Sequence, residues 1–490
     1  MREKRASLFQ TDGDSVFTDR AGVRQHCRKS IRDFRRSAPP QAAQESFAFG
    51  KACCRTPSFS AQTFRKKQRK EKIMFQISES VEITPELALK YIVKHNRGTD
   101  VYEKLNDYYT GNHAILSRTK EKGAANNRLV CNHAKYITDC TTGYFMGTPV
   151  QYLARGNVDI SAVKDALRRA DSETQDIDLA RIGSVFGTAY EMLYISGDNP
   201  QIKLASLDPR NAFVVYDDTV EQKPLFGVYY MPVYTDNEMI KGYRCYLCDR
   251  EYNTEFIISA SFAMEEKSSP YPHYFGDVPI IEYYNNGNRQ GDFQQVTSLI
   301  DAYNVLQSDR VNDKEQFVDA ILLIKGQILG DSSAEESETY KAIKEFGIMT
   351  MDDCGDAKWL TRQFDEASVD ILRKAIENDI HKFSGVPCMN DESFSGNASG
   401  VAMRYKLLAF EQMTKIKERY FAEGLRLRLK MMANALNTMS AVKIDTDNIE
   451  ILFTHSLPEN EAELAQTANL LKDIVPNEKL QKILPFIPAD

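Results

Sequence analysis

The alternation of apolar and polar residues changes character along the chain. From about 84 to 186 the apolar positions recur every three to four residues, which predicts amphipathic helices, and residues 161–186 are predicted to be helical. From about 190 to 284 the period shortens to two, in short runs separated by turn residues, and this predicts a mixed or meandering sheet. The region 74–290 is therefore predicted to form an α+β domain.

Helical periodicity returns after the sheet region. Two segments, 293–318 and 366–383, enclose a small αβ module at 319–364, in which 347–351 and 357–363 are predicted to form a hairpin. The second segment stops before Gly385 and Pro387. Its predicted apolar face consists of Val369, Leu372, Ile376, Ile380 and Phe383.

The longest predicted helix covers 401–437. At 1.5 Å per residue it is about 56 Å long, whereas globular helices average roughly 11–12 residues. Such a rod needs a large partner surface, and either the core of one large domain or a neighbouring copy of the chain could supply it. Its apolar positions are interpreted as one stripe: Val401, Tyr405, Leu408, Met413, Ile416, Tyr420, Leu425, Leu429, Met432 and Leu436.

Composition narrows the class of protein. The 490 residues, 42% of them hydrophobic, suffice for two to four domains with sizeable cores. We expect no membrane span, because no apolar run approaches about 18–20 residues. The nine cysteines show no disulfide framework, which indicates reduced thiols in a cytoplasm-like compartment.

Charge divides the chain at Met74. Residues 1–73 hold 18 Lys and Arg against 7 Asp and Glu, a net charge of +11, and the remaining 44 and 62 give −18. The basic segment lacks an apolar period. It is interpreted either as an arm that binds nucleic acid or as a disordered extension upstream of a native start at Met74. The abrupt change of texture at Met74 favours the extension.

Candidate chemistry is sparse. Cys245 and Cys248 have half of a zinc-site spacing, but residues three apart on a strand point to opposite faces. Asp208, Asp217 and Asp218 could hold magnesium, although acids at strand ends are more often turn formers. No phosphate-binding glycine motif occurs. The sequence therefore predicts no catalytic residue, no metal and no cofactor, and the protein is expected not to be an enzyme.

A polar loop precedes the long helix. It spans 390–400, has no apolar period, and has one bulky apolar side chain. Its glycines and serines favour a mobile connection. The alternative is an ordinary solvent-exposed connector. The candidate functional residues of this loop are Asn390, Asp391, Glu392, Ser393, Phe394, Ser395, Gly396 and Asn397.

Five separated blocks carry a family resemblance: 126–152, 207–230, 299–326, 384–420 and 451–463. In their sequences and their order they resemble the portal proteins of tailed bacteriophages, in the branch typical of long-tailed siphophages. The resemblance covers about 74–490 and says nothing of 1–73.

The resemblance implies a multi-domain α+β portal fold. The implied parts are a wing (74–290), two stem helices (291–318 and 365–385), a clip (319–364), a tunnel loop (386–400), a long helix with a return strand to the wing (401–455), and the start of a crown, expected to be truncated (456–490).

The resemblance also implies a function. Portals of this family are rings, usually dodecamers, at one capsid vertex, through which double-stranded DNA is packaged and ejected. Implied partners are further copies of the chain, the passing DNA, the terminase large subunit, a head-completion adaptor, and capsid and scaffolding proteins. The implied location is the virion, after assembly in the bacterial cytoplasm. The tunnel loop would then line the DNA channel.

Two other classes stay open. One is a magnesium-dependent nuclease that uses Asp208, Asp217 and Asp218. The other is a monomeric DNA-binding or scaffold protein that uses the basic segment. Only the portal hypothesis requires a large ring, so the oligomeric state distinguishes it from both.

Overall fold

The computed structural model describes most of the chain from residue 74 onward. The described residues are 74–121, 124–156, 158–196, 200–318, 321–325, 333–334, 337–338, 341, 356–360, 366–389, 400–439, 444–455 and 469–470. The basic segment 1–73, the loop residues 390–399 and nearly all of 456–490 lie outside them.

Side chains cap the start of two helices in the described ranges. The Thr84 side chain accepts a hydrogen bond from the Leu87 amide, and Pro85 occupies the first helical position. The Asn132 side chain accepts one from the Lys135 amide in the same way. The α-helices are α1 (Pro85–Asn96), α2 (Asp100–Thr110), α3 (His133–Met146), α4 (Ser161–Arg169), α5 (Ser172–Phe186), α6 (Thr297–Val318), α7 (Glu366–Ser384) and α8 (Gly400–Met439).

The strands of the described residues form two sheets and two isolated pairs. The larger sheet has the order β1-β5-β6-β7-β8-β10, with β9 also on β8, and the smaller has the order β11-β3-β4. The strands are β1 (Phe75–Ile77), β2 (Gln151–Ala154), β3 (Thr188–Ser196), β4 (Gln201–Leu207), β5 (Ala212–Asp217), β6 (Pro224–Tyr234), β7 (Ile240–Cys248), β8 (Tyr252–Ser259), β9 (Met264–Lys267), β10 (Tyr271–Pro272), β11 (Ile280–Tyr284), β12 (Ile321–Lys325), β13 (Asp356–Leu360) and β14 (Ile449–Leu452).

The predicted sheet region is thus confirmed as mixed. The strands β5 to β8 form an antiparallel meander, and β1 joins β5 in parallel. The sequence pattern did not reveal β1, β9 and β10, which are two to four residues long.

The two sheets stack between layers of helix. Helix α1 packs on one face of the larger sheet through a cluster that includes Ile92, Phe213 and Val215. The other face meets the smaller sheet through Val214 and Ile280. Helices α3, α5 and α8 share a third cluster with the far face of the smaller sheet. Successive residues of β5 therefore face different cores, as expected of a strand buried on both sides.

Helix α8 matches the long helix predicted over 401–437. Gly424, its one glycine after the first position, allows it to approach β11, because a β-carbon there would lie 2.4 Å from the Tyr283 ring. After α8 the chain returns as β14, which pairs antiparallel with β2, so the strand predicted near 449–455 does join the region 74–290.

Two other predictions have different outcomes. The helical structure predicted for 161–186 is confirmed, as two helices: the chain breaks between α4 and α5 at Asp171, which has φ 53°, a conformation that Asp tolerates better than most residues. In the small module, the described partner of β13 is β12. The other half of the predicted hairpin, 347–351, lies outside the described residues.

Candidate functional site: the long helix and the turn before it

The end of α7 is a fixed turn. Gly385 has φ 71°, and a β-carbon there would lie 2.2 Å from the Met413 sulfur of α8, so glycine is required on both counts. The His381 Nδ1–H donates to the Val386 carbonyl at 3.0 Å, and Val386 is 1% exposed. The turn therefore ties the end of α7 to α8.

Tyr136 of α3 holds the residues after that turn. Its hydroxyl donates to the Pro387 carbonyl at 3.2 Å and accepts from the Met389 amide at 3.0 Å. The segment 390–399 thus begins next to a hydrogen-bonded anchor and ends where α8 begins, at Gly400. The predicted site residues from Asn390 to Asn397 all lie outside the described residues, so their place at a channel stays a prediction.

Helix α8 carries two apolar faces, not the one stripe predicted from the sequence. In its first half the inward side chains are Leu407, Phe410 and Thr414, all at most 8% exposed. Three predicted stripe residues of this half point outward: Tyr405 is 74%, Leu408 44% and Ile416 52% exposed. Met413, 41% exposed, reaches the Gly385 turn instead.

The stripe prediction failed for a geometric reason. Leu408 to Met413 and Tyr420 to Leu425 are steps of five residues, and each turns the position by about 140° around a helix of 3.6 residues per turn. The proposed stripe therefore crosses from the outward face to the inward face. Its second half is inward as expected, with Leu425, Leu429 and Met432 at most 2% exposed and Leu436 half-buried.

A buried ion network anchors the second half of α8. Arg428 is 0% exposed and donates through Nε and Nη2 to both oxygens of Glu191, at 2.8 and 2.7 Å. Asp176 Oδ1 lies 2.7 Å from the same Nη2. The Tyr283 hydroxyl donates to Glu191 at 2.8 Å. Burial raises the pKa of Asp176 to about 6, although the Arg428 guanidinium acts to lower it.

Two further polar contacts hold the middle of the helix. Lys417 Nζ pairs with Asp292 Oδ2 at 2.5 Å, and both side chains are at most 8% exposed. Glu418 contacts His455, whose ring stacks on Tyr144 with the ring centroids 4.9 Å apart. The helix is therefore fixed to its own subunit from about residue 417 onward.

Two of the three carboxylates that could serve a nuclease, Asp208 and Asp217, have structural roles. Asp208 pairs with Arg210, with Nη2 to Oδ2 at 2.6 Å. Asp217 accepts from the Thr219 amide and hydroxyl, at 3.1 and 2.8 Å. Within the described part of the chain, these acids do not form a group close enough to share an ion. The turn-forming interpretation fits them.

The cysteine pair is also structural. Cys245 and Cys248 are 0% exposed and belong to different hydrophobic clusters on the two faces of the larger sheet. Burial raises the pKa of Cys245 to about 12. Because the two thiols lie on opposite faces of the sheet, they are not placed to share a metal ion.

The sequence patterns missed one group of possible metal ligands. Glu377, His381 and Cys388 bring their ligand atoms within 4.8 Å of one another. A search of the sequence for paired histidines or paired cysteines does not find this group, because its three ligands are of three different residue types. The available signal was a Glu and a His four residues apart near the end of a helix, with a Cys just after the turn.

No described helix has the length and apolar character of a membrane span.

Comparison with known proteins identifies the family. The family model "Phage portal protein, SPP1 Gp6-like" matches residues 89–489. The portal protein of Clostridium phage phiCD119 is 22% identical over 382 residues, covering 74% of this chain and 82% of that protein. The portal protein of Bacillus phage SPP1 is 22% identical over 405 residues, covering 79% and 77%.

Solved structures give a weaker likeness. A chain in the virion of a native gene transfer agent particle has a TM-score of 0.42 at 13% identity, covering 80% of this chain and 94% of that one. A chain in the neck of the native particle, computed with C12 symmetry, has a TM-score of 0.41 at 13% identity, covering 78% and 99%. Scores this low do not establish a shared fold. The family match spans most of the chain and includes α7, the turn, α8 and β14: the chain belongs to the SPP1 Gp6-like family of phage portal proteins.

Proposed function

We propose that this portal protein assembles into a ring, a dodecamer in the arrangement that the resemblance implies, and that DNA passes through its centre during packaging and ejection. The observation that carries the proposal is the second apolar face of α8. The helix already buries one face in its own subunit, and the opposite face exposes Tyr405, Leu408 and Ile416. Clustered apolar exposure of this kind marks an interaction surface.

Helix α7 also exposes apolar side chains. Ile371 is 70%, Leu372 51% and Phe383 57% exposed, whereas Ile380 on the same helix is fully buried. The predicted apolar face of α7 is therefore only partly used within the subunit. We propose that the next copy of the chain in the ring covers these side chains together with the outward face of α8.

Each segment then takes a part in the ring. We propose a wing from 74–290, stem helices α6 and α7, a clip around β12 and β13, and a crown after β14. The clip would dock a head-completion adaptor and, during packaging, the terminase large subunit. Capsid and scaffolding proteins would surround the ring at one vertex of the virion, after assembly in the bacterial cytoplasm.

Charge supports a channel through which DNA slides. Residues 74–490 hold 44 basic and 62 acidic residues, a net charge of −18. Tight phosphate neutralisation would give DNA a strong, salt-dependent grip, and a net-acidic body avoids it. We propose that the loop 390–400 lines the constriction, since it leaves one anchored turn and enters α8.

The deciding experiment measures the oligomeric state of the full chain by size-exclusion chromatography with light scattering. Negative-stain electron microscopy of the same fractions then shows particle shape. Rings with a central hole are expected. A monodisperse monomer that binds DNA would instead support the DNA-binding alternative. Magnesium-dependent cleavage of DNA by the purified protein, lost in Asp217→Ala, would support the nuclease alternative.

A further inference from the structure

Three side chains of different chemistry meet at the end of α7. Glu377 and His381 are four residues apart, so they lie on one face of the helix. The glycine turn at Gly385 then brings the chain back, and Cys388 reaches the same place. One carboxylate oxygen, one imidazole nitrogen and one thiol sulfur all lie within 4.8 Å of one another, and all three residues are half-buried.

The imidazole is held in the way a metal ligand requires. Its Nδ1–H donates to the Val386 carbonyl at 3.0 Å, which fixes the ring and leaves Nε2 with the free lone pair. Ligating histidines commonly donate their other nitrogen to a backbone carbonyl in this manner. The Tyr136 ring packs edge-on against His381, with the centroids 5.6 Å apart.

The thiol and the carboxylate are also positioned by neighbours. The residues on either side of Cys388 are held by one hydroxyl group. The Tyr136 hydroxyl donates to the Pro387 carbonyl and accepts from the Met389 amide. Arg373 Nη1 holds Glu377 Oε2 at 2.7 Å. That contact orients the carboxylate and leaves its other oxygen available for a cation.

We propose that Glu377, His381 and Cys388 form a binding site for a divalent transition-metal ion of the zinc class, with a fourth position for water. Thiolate and imidazole select such ions over magnesium and calcium, which prefer oxygen ligands. At metal–ligand distances of about 2.0–2.3 Å, tetrahedral ligands lie roughly 3.5 Å apart. The three groups therefore close by about 1 Å, which side-chain rotation supplies.

An ion at this position would also have a structural role in the channel, and this role rests on the proposed function. The ion would join the last turns of α7 to the residue two positions before the segment 390–399. It would thereby fasten the base of the proposed tunnel loop. Binding of the metal itself does not depend on that role.

The test uses the full chain, stripped with a chelator and titrated with Co²⁺ alone. One ion per chain is expected, with the charge-transfer absorption of a cobalt–thiolate bond, and Zn²⁺ should displace it. Cys388→Ser should abolish the absorption. Loss of an orienting contact alone costs about 10–100-fold in affinity, so His381→Gln and Glu377→Gln should each weaken Co²⁺ binding by at least about tenfold. Cys245→Ser is the control, since Cys245 is also a free cysteine and lies in a hydrophobic cluster that holds no described residue of α7.

A second readout identifies the thiol directly. Zn²⁺ should slow the alkylation of Cys388 by iodoacetamide, and mass spectrometry measures the extent of alkylation. Circular dichroism of each metal-free variant checks folding. If Cys388→Ser unfolds, the weaker Co²⁺ binding expected of Glu377→Gln still tests the site. Absence of the cobalt–thiolate absorption in the wild type, its survival in folded Cys388→Ser, or its loss in folded Cys245→Ser would each overturn the site. Electron microscopy of the same samples separates this failure from a failure of ring assembly.

Discussion

The two halves of α8 bury their residues in different ways. The second half has one buried face, made of Leu425, Leu429 and Met432, and it encloses the charged side chain of Arg428. The first half is buried along Phe410 and its neighbours, but it exposes apolar residues on the opposite side. One half therefore satisfies its packing within the subunit, and the other half does not.

The difference indicates what the outward face of the first half does. Under the proposed function, these outward residues form a surface that the next copy of the chain covers. The ion network fixes the orientation of the second half of α8 within the subunit, because Arg428 reaches two carboxylates on separate elements, α5 and β3.

The largest expected effect is on the anchored half. Arg428→Met leaves Glu191 and Asp176 as buried carboxylates without their cation, and breaking a buried ion pair in this way costs about 3–5 kcal/mol. Arg426→Met is the matched control, since Arg426 is exposed, and it should change the stability by no more than about 0.5 kcal/mol. Guanidinium denaturation followed by circular dichroism measures both. Equal stability of the two variants would show that the network does not anchor α8.

The outward face gives the complementary prediction. Ile416→Asp should leave the folded subunit within about 0.5 kcal/mol of the wild type, because residue 416 is 52% exposed. It should prevent ring assembly, because the next subunit would bury an unpaired carboxylate at every interface. Arg426→Asp in the anchored half is the control and should still form rings. Light scattering and denaturation of the same samples decide. Normal rings from Ile416→Asp would mean that another surface joins the subunits.

Acid should partly rescue the anchored half after its arginine is removed. The folded pKa of Asp176, about 6, lies above its ordinary value, so its contribution to stability is present at low pH and is lost as the pH rises from about 4 through about 6. Arg428 lowers that pKa, so Arg428→Met should raise it further. Each pKa unit corresponds to about 1.4 kcal/mol.

The deficit of Arg428→Met relative to the wild type should therefore shrink by about 1–2 kcal/mol between pH 8 and pH 5.5. Denaturation at the two pH values measures it, and Arg426→Met should show no such change. A deficit that grows in acid would indicate that charges other than the buried carboxylates dominate.

The sequence revealed the fold where the pattern depends on neighbours along the chain. The lengths of α1, α2 and α8 and most strands of the two sheets follow from local periodicity and capping. The break at Asp171 did not, because α4 and α5 share one helical pattern across it.

Residues that meet across the fold were harder to predict. No local pattern shows that Arg428 lies between Glu191 and Asp176, because Glu191 is 237 positions away and Asp176 is on yet another element. The same holds for Cys388 beside Glu377 and His381, where a turn makes the contact. The two faces of α8 could have been found from the sequence by allowing for the two steps of five residues.

The smallest expected effect concerns the loop next to the outward half of α8. Replacing both Asp391 and Glu392 with lysine should leave ring assembly intact, because the predicted loop has no apolar period to hold the fold. The added charges would repeat around the ring and form a cationic girdle at the constriction. Phosphate contacts would then slow the passage of DNA, and more strongly at low salt than at high salt, because salt screens such contacts.

The measurement is the length of packaged DNA per particle, together with ring yield, for the wild type and the double lysine variant at two salt concentrations. Shorter DNA at low salt, with recovery at high salt, is expected. The double asparagine variant is the control, since it removes the acidic charges without adding positive ones, and it should package as the wild type does. Normal packaging by the lysine variant at low salt would place the loop away from DNA. Failed ring assembly would show that Asp391 and Glu392 take part in the contacts between subunits. The contact surface proposed for the first half of α8 would then include these loop residues.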